Sequence, residues 1–276
     1  MNVQIQEADK IFEEIRKKQE EQKKKDQIGA TVGGFISILI IGGGIWYGIS
    51  HTIMPNVPTP YEVYLKLGCV IIDPWFYKSI LVTTYRILLG FAMGAVLGVP
   101  FGLLIGWNKV AEDFLFPTFE ILRPVPPVAW VPLSIVIFGA LEPSMIFVCF
   151  IGAFFVIALN AKLGVEGIDL SLFRAAQCLG ADPVQIFRQI VLPGALPAVF
   201  TGLSLGIGIA SVSVVAAEMI SGEYGIGYMA WESYNLIRFP RVIIAMITIG
   251  IIGFTLISAI RLVGKKYLAW ARITFQ

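Results

Sequence analysis

Long apolar stretches alternate with short polar ones along most of the chain. Runs near residues 28–50, 79–106, 144–164, 196–220 and 241–264 are each about as long as an α-helix needs to cross a bilayer core. A sixth run, 114–139, is interrupted by Pro117, Pro124, Pro126, Pro127 and Pro132. Each proline lacks an amide donor and crowds the preceding turn, so the stretch predicts a kinked or partly unwound span. Irregular backbone at membrane depth survives only where protein or a water-filled cavity covers it. That places the Pro-rich segment inside the molecule. The pattern predicts an all-α polytopic membrane protein of about six transmembrane helices. The alternation expected of a barrel is missing.

Residues 1–27 differ from the rest of the chain. They hold seven Lys/Arg and seven Asp/Glu, with Ile5, Ala8, Phe12 and Ile15 at helical spacing. They do not read as a secretory signal. The segment reads as a charged amphipathic element before a membrane domain at 28–276, with Lys23, Lys24 and Lys25 next to the first span. It serves either as a solvated anchor beside anionic lipid or as a helix on the membrane surface or a partner.

Charge sets the orientation. Fifteen Lys/Arg fall on one face, namely the N-terminus, the 107–113 loop, the 162–195 segment and the C-terminal end. Four fall on the other: Lys66, Lys78, Arg238 and Arg241. The bias puts both termini and the 162–195 segment in the cytoplasm. Composition agrees with a membrane protein, since 57% of residues are hydrophobic and 14% charged, against about 25% charged in soluble domains. Cys69, Cys149 and Cys178 form no C-x-x-C pair and His51 is alone, so disulfide, haem and multi-histidine metal sites find no support.

The polar excursion at 170–195 is the chain's most informative stretch. Leu172–Leu179 predicts a short helix with Ala175, Ala176 and Gly180 open to close approach. Gly180 reads as its stop, Asp182 as an N-cap and Pro183 as the first residue of a second helix. Pro193 and Pro197 are expected to end that helix and open the next span. The whole is a compact helix–turn–helix with an apolar surface for a neighbour.

These residues resemble a known family. The pattern E-A-A, three residues, Gly, nine residues, I-x-L-P marks the cytoplasmic segment of bacterial importer permeases of the ATP-binding-cassette class. Ala175, Ala176, Gly180, Ile190, Leu192 and Pro193 match its spacing, and Arg174 replaces the Glu. Leu122–Pro132, Val214–Met219 and Gly225-Ile-Gly227 look like the nitrate, sulfonate, taurine and bicarbonate branch. The resemblance implies a type I importer permease fold of the MetI-like kind in a bacterial inner membrane, working as a pair and expected as a homodimer. It implies two cytoplasmic ATPase subunits and an extracytoplasmic binding protein that largely sets specificity. Arg174, Ala175, Ala176, Gly180, Ala181, Asp182 and Pro183 then form the coupling helix against the ATPase. The chain has no G-x-x-x-x-G-K-[ST] run. ATP and Mg are therefore expected on the partner subunits and no cofactor in this chain.

Charge at bilayer depth is costly and usually faces a partner or a polar cavity. Arg86, Glu120, Arg123 and Glu218 qualify. Glu120 and Arg123 are three apart, so they either pair locally or leave Arg123, like Arg86, to line an anion's path. Glu218 reads as interfacial or as the gate partner of an arginine. Trp130 reads as a gate or as ordinary packing. Ser134, Ser204, Ser211 and Ser213 offer hydroxyls to an oxyanion or serve close helix packing. The Gly/Ser/Ala-rich span 202–217 is expected at the dimer or pore seam. A passive channel or a secondary transporter is the competing reading. A secondary transporter would show interrupted helices at matching places in two halves, and only one interrupted span is present. A membrane enzyme would need paired titratable groups or metal ligands that the sequence does not supply.

Overall fold

The computed structural model describes residues 37, 40–48, 50, 57–221 and 223–267. The opening segment 1–27, most of the expected first span, His51 and the C-terminal cation Arg272 lie outside the described residues. The described residues fall into two compact units, divided between Leu65 and Lys66. In the first, residues 40–48 are helical and Trp46 Nε1 donates to the Pro58 carbonyl at 3.0 Å. Helix α1, Pro60–Ile72, runs through the boundary.

The second unit is built on four long helices. Helix α2, Pro74–Trp107, starts where the Asp73 carboxylate accepts the Trp75 amide at 3.0 Å and Pro74 fills the first position. Helix α3, Lys109–Leu122, begins at Asn108, whose side chain accepts from the Val110 and Ala111 amides. A 3-10 turn at Pro127–Trp130 and helix α4, Val131–Phe138, follow it. Helix α5 is Leu141–Glu166 and α6 is Leu170–Cys178. Helix α7, Pro183–Ile186, passes through a π-turn at Phe187–Val191 into α8, Leu192–Ser221. Helices α9, Ile226–Asn235, and α10, Phe239–Tyr267, close the order. Among the described residues four helices are long and apolar enough to cross a membrane, and a bent pair makes a fifth.

Helix α5 packs between α2 and α8, and small residues set the spacing. Gly90, Gly94, Gly98, Gly102 and Gly106 lie every fourth residue on the α2 face that meets α5. A Cβ on Gly94 would sit 2.7 Å from Ala153 Cβ, and one on Gly106 2.9 Å from Val165 Cβ. On the other flank a Cβ on Gly202 would fall 2.6 Å from Asn160 Cβ, and one on Gly206 2.7 Å from Ile157 Cγ1. Lipid gives apolar helices no hydrophobic reason to associate, so close backbone approach supplies the packing energy. The 202–217 stretch, expected at a dimer or pore seam, thus uses Gly202 and Gly206 inside the chain, against α5.

Two further expectations change. The span 114–139 does break, and its halves are bent by 88°. Its prolines are not inside the protomer, however. Pro124, Pro126 and Pro132 are exposed, while Val131 and Ser134 are buried. The inward contacts come instead from Phe119 and Trp130, which pack on α5 beside Phe155 and Phe154. Nor do Pro193 and Pro197 end a helix, because Pro183–Ile220 is one continuous span. The π-turn explains this. The Leu192 amide reaches back five residues to the Phe187 carbonyl, and the widened turn makes room for a ring at 193 that would crowd a regular turn.

Candidate functional site

The 169–193 hairpin is locked at its start and at its turn by local chemistry. The Asp169 carboxylate accepts the Ser171 amide at 2.8 Å to start α6, and Ser171's hydrogen bonds hold that carboxyl below its ordinary value. Gly180 takes the left-handed conformation, φ +77°. Its amide donates to the Gln177 carbonyl and the Ala181 amide to the Ala176 carbonyl, both at 3.0 Å. This is a Schellman stop. A new helix starts at once. Asp182 accepts the Gln185 amide at 2.7 Å, and the Gln185 side chain accepts the Asp182 amide at 3.1 Å. That reciprocal pair is a capping box, with Pro183 behind it.

One side of the hairpin is buried and the other open. Phe173, Ala176, Ala181 and Phe187 pack on Ile186 and Val191. Trp107, the last residue of α2, lies 5.9 Å from the Phe173 ring and 6.0 Å from the Phe187 ring. Arg174, Ala175, Asp182 and Pro183 are exposed, and so are Leu172, Leu179 and Val184, with Leu179 87% exposed. Lys162, counted from sequence among loop cations, is instead buried within α5. Its ammonium group meets Glu166, sits 3.0 Å from Glu112 and lies 4.3 Å from the Phe116 ring centre.

A second cluster occupies the opposite end of the same helices. Arg86 of α2 and Glu218 of α8 are both fully buried and meet at 2.8 Å. Arg86 Nε donates to Glu142 at 3.0 Å and its Nη2 pairs with the same carboxylate. Arg86 Nη1 also donates to the Tyr224 carbonyl at 2.6 Å. The Thr83 hydroxyl donates to Glu218 at 2.9 Å and accepts the Ile226 amide at 2.9 Å. The Gly227 amide donates to Glu218 at 2.9 Å. A buried charge is tolerable when paired and hydrogen-bonded in this way. Gly225 has φ +129°, and a Cβ there would fall on the Glu218 carboxylate. Glycine is what lets the 223–227 turn close over the pair.

The remaining candidates separate from this cluster. Glu120 and Arg123 pair with each other at 3.0 Å, both partly exposed. The Ser211 hydroxyl donates to the Ile207 carbonyl of its own helix at 2.8 Å, and Ser134, Ser204 and Ser213 likewise bond their own helices. Trp130 packs against Val131, Met145, Val148 and Ala217, with its Nε1 buried and without an acceptor among the described residues. Sequence reasoning missed Thr83, Glu142, Trp107 and Phe173. No local motif marks these contacts, because they close across long sequence separations.

Comparison with known proteins agrees with this architecture. Residues 98–269 match the family described as binding-protein-dependent transport system inner membrane component. A putative ABC transporter permease protein of Methanocaldococcus jannaschii is 39% identical over 215 residues, 78% of each chain. A nitrate import permease of Synechocystis is 34% identical, covering 80% of this chain and 82% of its own length. A putative aliphatic sulfonates transport permease of Bacillus subtilis is 34% identical, covering 85% and 84%. A solved structure of the MetNI methionine ABC transporter, inward facing, superposes with a TM-score of 0.56 at 22% identity, over 68% of this chain and 96% of that one. Its likeness bears on the fold. With the long helices, the broken span and the capped hairpin in place, the chain belongs to the binding-protein-dependent transport system inner membrane component family, as a permease subunit of an ABC importer.

Proposed function

We propose that the chain works as one of two identical permeases importing a small anion or polar solute of the nitrate, bicarbonate or sulfonate and taurine class. The nitrate and sulfonate permeases among its relatives support that substrate class. The pair would bind two cytoplasmic ATPase subunits, which carry ATP and Mg, and an extracytoplasmic binding protein. Both termini would lie in the cytoplasm, following the charge bias. The exposed prolines of the 88° bend support pairing, because irregular backbone at membrane depth needs protein over it.

The observation that carries this reading is the capped hairpin with its open apolar face. Leu172, Leu179 and Val184 present an apolar surface, and Arg174 and Ala175 lie beside them. Two interlocked caps make the segment stiff enough to transmit displacement. Closure of the ATPase pair would push on it. The push would pass through Phe173 and Phe187 to Trp107 and α2, and directly along the unbroken 183–220 helix. Both routes end at one place, where α2 and α8 are pinned by Arg86 and Glu218. That pin would hold the far ends together while the near ends move. Trp130 and Ser211 would line or gate the path, and Glu120 with Arg123 would sit beside the bend.

The test is co-purification with the cognate ATPase and ATP-driven uptake of nitrate, bicarbonate and a sulfonate by the reconstituted complex. Ala176→Asp and Gly180→Ile should abolish ATPase association or coupling while the chain stays in the membrane. Uptake like that of the unaltered protein in both variants overturns the coupling role. Failure to transport any of the three anions overturns the substrate class.

A further inference from the structure

At the end of the bundle opposite the hairpin, a cavity of about 470 Å³ opens between residues 66–70 of α1 and the turn into α10. Lys66, Arg238 and Arg241 line it, with Cys69 and Ile237, and among the described residues no carboxylate does. The carboxylates of this region, Asp73, Glu223 and Glu232, line a separate cavity of about 520 Å³ that shares the two arginines. Arg241 gives Nη2 to Asp73 at 2.9 Å and lays its guanidinium 5.3 Å from the Trp75 ring centre. Its Nε is buried and finds no acceptor among the described residues. Lys66 and Arg238 form no ion pair among the described residues and are exposed.

The turn carrying Arg238 is unusual. Ile237 holds φ +56°, a conformation costly for a β-branched residue. The Ile237 amide bonds the Tyr234 carbonyl at 3.0 Å and the Arg238 amide the Ser233 carbonyl at 2.8 Å, so the strained turn is fixed. Strain of this kind persists where surrounding structure enforces it, often at ligand sites. Here it sets Arg238 across from Lys66.

We propose that this cavity binds an oxyanion, either a free inorganic ion or the headgroup phosphate of an anionic lipid. Two guanidinium groups and an ammonium around one concavity match the charge and donor geometry of such a group, and a span's end is where headgroup phosphates lie. The inference goes beyond the transport reading and does not depend on it.

Cys69 is an exposed thiol on the cavity wall and serves as reporter. The assembled transporter, in nanodiscs of phosphatidylcholine alone, is treated with N-ethylmaleimide, and modification at Cys69 is followed by mass spectrometry. Sulfate, added at constant ionic strength against chloride, should slow modification saturably, by about threefold at twice its dissociation constant. Lys66→Gln and Arg238→Gln, both surface substitutions, should remove that protection. If phosphatidylglycerol nanodiscs protect Cys69 without sulfate, and the two variants lose that protection, the lipid is the ligand. The same Cys69 rate in both lipids and with or without sulfate overturns the proposal. So does protection that survives in both variants.

Discussion

The Arg86 guanidinium and the Glu218 carboxylate, 132 residues apart, meet at 2.8 Å with neither side chain exposed. Their contact joins α2 to α8 at the end away from the hairpin, and Thr83, Glu142, Tyr224 and Gly227 are hydrogen-bonded to it.

Removing one partner should cost more than removing both. Arg86→Met alone takes the guanidinium away from the buried Glu218 carboxylate, a loss of about 3–5 kcal/mol for a broken buried pair. Glu218→Gln alone leaves Arg86 with Glu142 as its remaining acidic partner. The double variant Arg86→Met with Glu218→Leu should recover part of the first loss. Thermal unfolding of the purified chain in one detergent checks the order, and equal melting of the Arg86→Met single and the double variant would count against the pin.

Gly225→Ala should be poorly tolerated and Gly208→Ala tolerated. The first adds a methyl where φ is +129° and the Glu218 carboxylate already stands; the second meets only Ile257 Cδ1 at 3.5 Å. The expected result is loss of folded, membrane-inserted Gly225→Ala protein beside normal yield of Gly208→Ala. Fluorescence-detected size-exclusion chromatography measures both.

The glycine ladder on α2 should respond by position. Gly102→Ala places its methyl between Ala158 and Ala161 of α5 and should force the two helices apart. Gly68→Ala on α1 meets no atom within 4 Å and should be neutral or gain up to about 1 kcal/mol from helix propensity. Melting temperatures of the two variants should move in opposite directions or differ clearly in size.

Asp182→Ala removes the capping box and should cost about 1 kcal/mol of local helix stability. Asp182→Asn retains an acceptor and should retain most of it. If the hairpin transmits force, the alanine variant uncouples ATP hydrolysis from uptake while the asparagine variant does not. Hydrolysis and uptake measured on the same proteoliposomes decide this, and equal coupling in both would remove the role given to the cap.

Local chemistry was legible in the sequence and distant pairing was not. Gly180, Asp182 and Pro183 announce their roles because stops and caps are made by residues a few positions apart. The break in 114–139 was readable because prolines act on their own turn. Of the two acidic partners of Arg86, Glu142 was hidden because it arrives by chain topology, whereas Glu218 stood out as a charge in an apolar run and pairing with an arginine was one of its two readings. The continuity through Pro193 was also hidden, since a π-turn leaves no signature that a proline-based stop rule detects. The ladder at Gly90, Gly94, Gly98, Gly102 and Gly106 was there to be counted. A period of four on one helix face marks close packing, yet it does not say against which helix.

The unbroken run from Pro183 to Ile220 carries a thermodynamic obligation. If its two ends shift together, any molecule that favours one setting of the Glu218 end changes affinity at the Val184 end by some factor. Occupancy at the Val184 end must then alter affinity at the other by that same factor. Binding measured from either side of the bilayer would therefore yield one shared constant.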